Sequence, residues 1–272
     1  MVDRIREEKM KSIIEKWYKK LNFPKDYDEA FFAYLENFDF KDPGPIEEYH
    51  TDAEVFGKNL MYHLYFCEQL SEKYKKYGIP ESILEATLSD IPIWTRTCVS
   101  VHGVVGLRNS TWLLRHLSFK LFRLGRLQFC LGEFEKSYPE INAMEGDPVI
   151  EVHIAEGLPL LPEECDKSFA LAREFFDKYF PNHKYRYFTC HSWLLDKDSE
   201  ILSQSYNIKS FAKRFCEIDR EVSDAILRYV FRYDTTRDNL APQEAMTSLA
   251  RRVKSAVTEG KAFYEVLGYI EK

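Results

Sequence analysis

Apolar residues recur at helical spacing through the first part of the chain and switch to strict alternation near residue 124. Residues 4–21 place Ile5, Ile13, Ile14, Trp17 and Leu21 on one side of a helix, and 28–38 form a shorter apolar piece. After the break Lys41-Asp-Pro-Gly-Pro45, Thr51 or Asp52 is expected to cap a long helix that runs to Tyr77-Gly78, with Phe56, Leu60, Leu64, Cys67 and Leu70 as its buried stripe. Segments 80–88, 91–101 and 110–122 complete a helical layer. Beyond Leu124 the stretches 126–131 and 148–154 alternate with a period of two. The order expected after them is helix 163–180, strand 185–193, helix 208–218 with Asn207 as its N-cap, strand 226–233, helix 244–259 and a last strand 262–270. This pattern predicts an α+β chain, with a helical domain over 1–122 and a mixed α/β domain over 123–272 whose sheet has about five strands.

The most informative stretch is 149–193. Two strand-like segments, each carrying a histidine near its end, flank an amphipathic helix with Phe169, Ala172, Phe175, Phe176 and Tyr179 at helical spacing. Strands joined by such a crossover are normally parallel, which brings His153 and His191 to one sheet edge, the edge where open α/β sheets bind ligands. Strand parity sorts the side chains further. Glu151 and His153 share one face and Ile150, Val152 and Ile154 the other; Arg126, Gln128 and Cys130 are likewise opposed to Leu127, Phe129 and Leu131. If the two strands are neighbours, a guanidinium, an amide, a carboxylate and an imidazole gather on one face, either as a solvated cluster or as a base with its carboxylate partner. Parity also places Cys190 and His191 on opposite faces, which argues against a Cys–His nucleophile.

Composition narrows the partners. Over 272 residues, 45% hydrophobic and 30% charged content with a net charge of -6 fits a globular domain and gives no general attraction for nucleic acid or an anionic membrane. The apolar window 91–107 is broken by Arg96 and His102 and is too short to span a bilayer, and the first residues carry no apolar leader. Six cysteines without a C-x-x-C pair read as reduced thiols of a cytoplasmic protein that holds no metal. Arg108, Arg115 and Arg123 would share one face of a continuous helix; that row reads as solvated surface, with phosphate binding as the alternative. The loop 155–162 and the helix start behind it offer amides to an anion, whereas Glu163 and Glu164 already complement the helix dipole.

Five strings, Gly125-Arg-Leu-Gln-Phe129, Val152-His-Ile-Ala-Glu-Gly157, Cys190-His-Ser-Trp-Leu-Leu-Asp196, Asn207-Ile208 and Thr247-Ser-Leu249, together resemble the bacterial two-domain acyltransferase-domain proteins. In that family a helical amino-terminal domain precedes a domain like the GNAT-type N-acyltransferases. The resemblance implies a mixed sheet splayed into a cleft, with acyl-CoA as co-substrate entering between the strands that end at His153 and His191. It further implies Glu151, His153 and His191 as candidate bases, Tyr206 as candidate acid, and Gly157, Leu158, Arg126 and Asn207 on the coenzyme side. The pyrophosphate loop of general N-acetyltransferases has a glutamine or arginine followed by spaced glycines; here Gly157 stands alone before two prolines and two glutamates. The expected activity is acyl transfer to an amine or hydroxyl of a small-molecule substrate. A non-catalytic ligand-binding or interaction protein with a GNAT-like fold is the alternative, and a hydrolase using His191 is a third reading.

Overall fold

The computed structural model describes residues 2–41, 43–46, 55–108, 110–231 and 234–272. It divides into two compact units, Met1–Leu124 and Gly125–Lys272. The first is helical: α1 (Val2–Lys20), α2 (Asp28–Glu36), α3 (Phe56–Tyr77), α4 (Glu81–Leu88), α5 (Asp90–His102) and α6 (Ser110–Leu117), closed by a short strand β1 (Leu121–Leu124). α3 is its centre, with Leu60, Leu64, Cys67 and Leu70 buried as expected and Phe56 half-buried, together with His63, Phe66 and Tyr74. Thr51 and Asp52, the expected caps of α3, lie outside the described residues. Ile5 does not join the core of this unit and is 63% exposed.

The expected helix over 110–122 ends at Leu117. Phe119 adopts φ 65°, and the N–H of Lys120 reaches back to the carbonyl of Arg115 at 3.1 Å, a left-handed helix stop usually made by glycine. Phe119 bears the strain because its ring is buried among Tyr74, Tyr77 and Phe122. Since Arg123 therefore lies on β1, where its guanidinium donates to Ser89 Oγ at 3.0 Å, the expected row of Arg108, Arg115 and Arg123 along one helix does not exist.

The second unit alternates strands and helices: β2 (Leu127–Glu133), β3 (Pro148–His153), α7 (Pro162–Tyr179), β4 (Tyr187–Ser192), α8 (Tyr206–Ala212), β5 (Cys216–Val222), α9 (Ala225–Val230), α10 (Ser248–Thr258) and β6 (Tyr264–Glu271). Its five strands form one mixed sheet in the order β2-β3-β4-β6-β5, with β3 and β4 parallel and the other neighbours antiparallel. α7 covers one sheet face: Phe169 meets Phe129 and Phe188 edge to face, with centroids 5.7 and 5.4 Å apart. The opposite face is filled toward its far end by Val149, Tyr187, Phe134, Tyr138 and Ala143.

Two expected elements are corrected. Residues 226–233, expected as a strand, begin with the helix α9; Ile226, Leu227, Val230 and Phe231 recur at helical spacing and pack with Leu240, Val253 and Phe263. The strand lies earlier, at 216–222, where a helix end was expected. β5 is an edge strand carrying Glu217, Asp219, Arg220 and Glu221, the charged composition that keeps an edge from pairing with other chains, and apolar alternation cannot reveal it. The N-cap of α8 is Ser205 rather than Asn207, which falls inside the helix.

Phe188 is fully buried between β2 and α7, so Phe188→Ala is expected to destabilise the protein by about 3–5 kcal/mol. Urea unfolding followed by fluorescence checks this through the midpoint of the transition.

Candidate functional site

β3 and β4 pair only at Val149 with Tyr187, Ile150 with Phe188 and Glu151 with Thr189. Both strands run on, β3 to His153 and β4 to Ser192, but each keeps only its outer partner: His153 stands opposite Gln128 of β2, and Ser192 opposite Val266 of β6. The sheet therefore opens between its two central strands, at their carboxyl ends, where the crossover through α7 leaves both histidines.

Directly paired residues share a face, so the face away from α7 carries Gln128, Cys130, Glu151, Thr189, His153 and His191. On the β3 side, His153 Nε2 donates to Glu151 Oε2 at 3.1 Å, and both side chains are about a third exposed. The carboxylate fixes the orientation of the imidazole and the ring nitrogen that carries its proton. Gly132 makes room for this pair. A Cβ there would lie 2.8 Å from Glu151 Cγ and 2.9 Å from its carboxyl carbon, so only glycine lets the carboxylate lie across β2.

On the β4 side, His191 Nε2 lies 3.5 Å from Glu221 Oε1 of β5, with half of the imidazole exposed. Asp219, aligned with Leu267 and through it with His191, is bonded to Lys136 at 2.5 Å; that ammonium holds the Asp219 carboxyl below its ordinary range. The opening is thus flanked by two histidine–carboxylate pairs, one on each side. Glu221 escaped the sequence reading because its strand did; once β5 is placed, the register of β4, β6 and β5 brings it to His191.

Cys190 faces α7, away from His191, and burial pushes its thiol up to about 12. At that value it is not a nucleophile near neutral pH. Asp196, which ends the Cys-His-Ser-Trp-Leu-Leu-Asp string, accepts from the N–H of Asp198 at 3.3 Å and lies 3.6 Å from Arg220, tying the turn after His191 to β5. Tyr206 is the first residue of α8 and is 74% exposed; Asn207 follows it.

Arg126 departs from expectation. It precedes β2 rather than sharing the sheet face with Glu151, and its buried guanidinium turns to the loop after β3, donating to the carbonyls of Ala155 at 2.9 Å, Leu158 at 2.5 Å and Pro159 at 3.0 Å. Within that loop Gly157 has φ 108°, a conformation that favours glycine, and Leu158 is exposed. α7 then begins with Pro162 at its first position and Glu163 and Glu164 in its first turn, the latter paired with Lys167 at 2.7 Å. No group of three or more potential metal ligands occurs among the described residues, and no described helix is long and apolar enough to cross a membrane.

Comparison with known proteins gives the architecture a place. An acyltransferase solved with decanoyl-CoA and teicoplanin superposes at a TM-score of 0.73 with 25% identity, over 94% of this chain and 87% of that one. Another acyltransferase structure, with decanoyl-CoA, gives 0.73 and 26% over 94% and 86%. An acyltransferase mutant with octanoyl-CoA gives 0.74 and 24% over 94% and 87%, a likeness of fold. No curated protein matches the chain. The family model of the N-acyltransferase N-terminal domain matches residues 4–119 and that of the GNAT-like C-terminal domain residues 121–270, so the chain belongs to the two-domain GNAT-like N-acyltransferases.

Proposed function

We propose that the chain transfers an acyl group from acyl-CoA to an amine or hydroxyl of a small-molecule acceptor. The observation that carries this reading is the opening of the sheet beyond Glu151 and Thr189, with a histidine–carboxylate pair on either side. An extended thioester arm laid between β3 and β4 would bring its carbonyl to the level of His153 and His191. The acceptor's nitrogen or oxygen lone pair attacks that carbonyl carbon, a histidine takes the proton released, and the carbon–sulfur bond breaks as the coenzyme leaves as thiolate. Glu151, His153 and His191 are the candidate bases, with Glu221 as the carboxylate partner of His191. Tyr206 is the candidate acid for the thiolate. Gly157, Leu158, Arg126 and Asn207 belong to the coenzyme side in this reading, Arg126 through the loop it holds.

Because solved structures of similar acyltransferases hold octanoyl-CoA, decanoyl-CoA or CoA, and two of them teicoplanin or 10C-teicoplanin, medium-chain donors and glycopeptide amines are the first substrates to offer. Glu163 and Glu164 favour the second reading, a binding protein without transferase activity. Each would repel a phosphate charge about 4 Å away by about 1 kcal/mol in water.

A panel of acyl-CoAs separates the two. Octanoyl-CoA and decanoyl-CoA at a hundred times their Kd are expected to stabilise the protein by about 2.7 kcal/mol, read as a rise in Tm. No stabilisation by any chain length at millimolar concentration contradicts the transferase reading. With a donor and acceptor in hand, replacing the true base is expected to lower kcat by about 10²-fold or more while Tm hardly changes. His153→Ala and His191→Ala, compared in the same assay, tell which side of the opening carries it. Glu151→Gln or Glu221→Gln is expected to follow its own histidine with a smaller loss; full activity in all four variants would remove both pairs from the chemistry.

A further inference from the structure

We propose that Arg126 is a positioning residue: by holding the carbonyls of Ala155, Leu158 and Pro159, its buried guanidinium turns the amides of the 155–160 loop toward the pyrophosphate of coenzyme A. The proposal rests on the acyl-CoA reading above and adds a residue that acts behind the loop rather than on the ligand.

Arg126 is 6% exposed, and Nε, Nη1 and Nη2 each reach a different carbonyl, at 3.0, 2.9 and 2.5 Å. The planar fork of donors in a guanidinium makes such a three-point contact; an ammonium is a single point charge and cannot span it. The described peptide bonds are trans, and in a planar trans peptide the C=O of one residue and the N–H of the next point in opposite directions. Drawing the carbonyls of Ala155 and Pro159 toward the guanidinium therefore turns the N–H groups of Glu156, on the exposed part of the loop, and of Leu160, where the loop is buried again, away from it. The peptide after Leu158 leads into Pro159 and has no N–H to place.

The backbone beside Arg126 fixes the other end of the device. The N–H groups of Arg126 and Leu127 donate to Ser168 Oγ of α7 at 2.8 and 3.3 Å, and that hydroxyl donates to the carbonyl of Glu164 at 2.8 Å. Gly125, at φ 72°, allows the approach, since a Cβ there would lie 2.8 Å from Ser168 Oγ. Three consecutive residues thus lock both the loop and the first turns of α7 to the start of β2. The guanidinium also sets a full positive charge behind the outward amides, opposing Glu163 and Glu164 in the first turn of α7.

The test compares the wild-type chain with Arg126→Lys, using calorimetry with decanoyl-CoA and amide hydrogen exchange in the free and loaded protein. In the wild type, ligand is expected to slow exchange at Glu156 and Leu160. In Arg126→Lys, Kd is expected to rise about tenfold, the loss of one hydrogen bond to a charged group, and protection at those two amides to disappear while that at Val152 and Cys190 persists. Unchanged Kd, or an equal loss of protection at all four positions, overturns the positioning role. If Arg126→Lys does not fold, the wild-type exchange decides alone, and absence of protection at Glu156 and Leu160 overturns it. No binding by the wild type at any concentration removes the acyl-CoA reading itself, a result distinct from normal binding by the variant.

Discussion

Two parallel strands that pair for three residues and then separate set the terms for everything else in the second unit. Backbone N–H and C=O groups need partners, so a gap in the middle of a sheet is tolerated only where water or a ligand can reach it. Here β3 is held at its full length by β2, and β4 by β6, while between them pairing stops at Glu151 and Thr189. The aromatic packing of α7 on Phe129 and Phe188 fixes the closed end of the sheet, and Val149 and Tyr187 are sealed on the other face. The open end can then carry polar side chains without loosening the core.

The face with the histidines was legible in the sequence because β2 and β3 alternate cleanly and the crossover helix has an apolar stripe. Those two signals sufficed for the parallel arrangement of β3 and β4, for the common face of Gln128, Cys130, Glu151 and His153, and for the separation of Cys190 from His191. The carboxylate beside His191 was not legible. β5 is a charged edge strand with Ile218 as the one apolar side chain between its end residues Cys216 and Val222, so nothing in its periodicity distinguishes it from the end of a helix. The helical spacing of Ile226, Leu227, Val230 and Phe231 did carry the signal that α9 is a helix, but the segment is only a turn and a half long, too short for period alone to decide. Phe119 is a third kind of case: a left-handed helix stop made by a buried aromatic follows from tertiary packing, and no local rule reads it.

Arg126 illustrates how a residue can lie in a recognisable string and still act by a route the string does not disclose. As an alternating strand residue it belongs on the polar sheet face; one position before β2, with Gly125 turning the chain, it reaches instead to three loop carbonyls. Sequence patterns of spaced glycines select loops whose backbone can approach a phosphate. In this chain Gly157 stands alone, and the conformation of the loop is supported from behind by a side chain. Glu163 and Glu164 stabilise the start of α7 through its dipole, while the buried guanidinium supplies positive charge on the other side of the same loop.

In the proposed reaction the opening between β3 and β4 receives the thioester arm of an acyl-CoA and brings its carbonyl to the histidine–carboxylate pairs. A crystal structure of the chain with a non-reactive thioether analogue of decanoyl-CoA tests it most directly. The sulfur and adjoining carbons are expected between the backbones of Val152–His153 and Cys190–His191, with at least one histidine within about 3.5 Å of the space where an attacking amine must stand. An analogue bound anywhere else, with β3 and β4 closed against each other beyond Glu151 and Thr189, would contradict it.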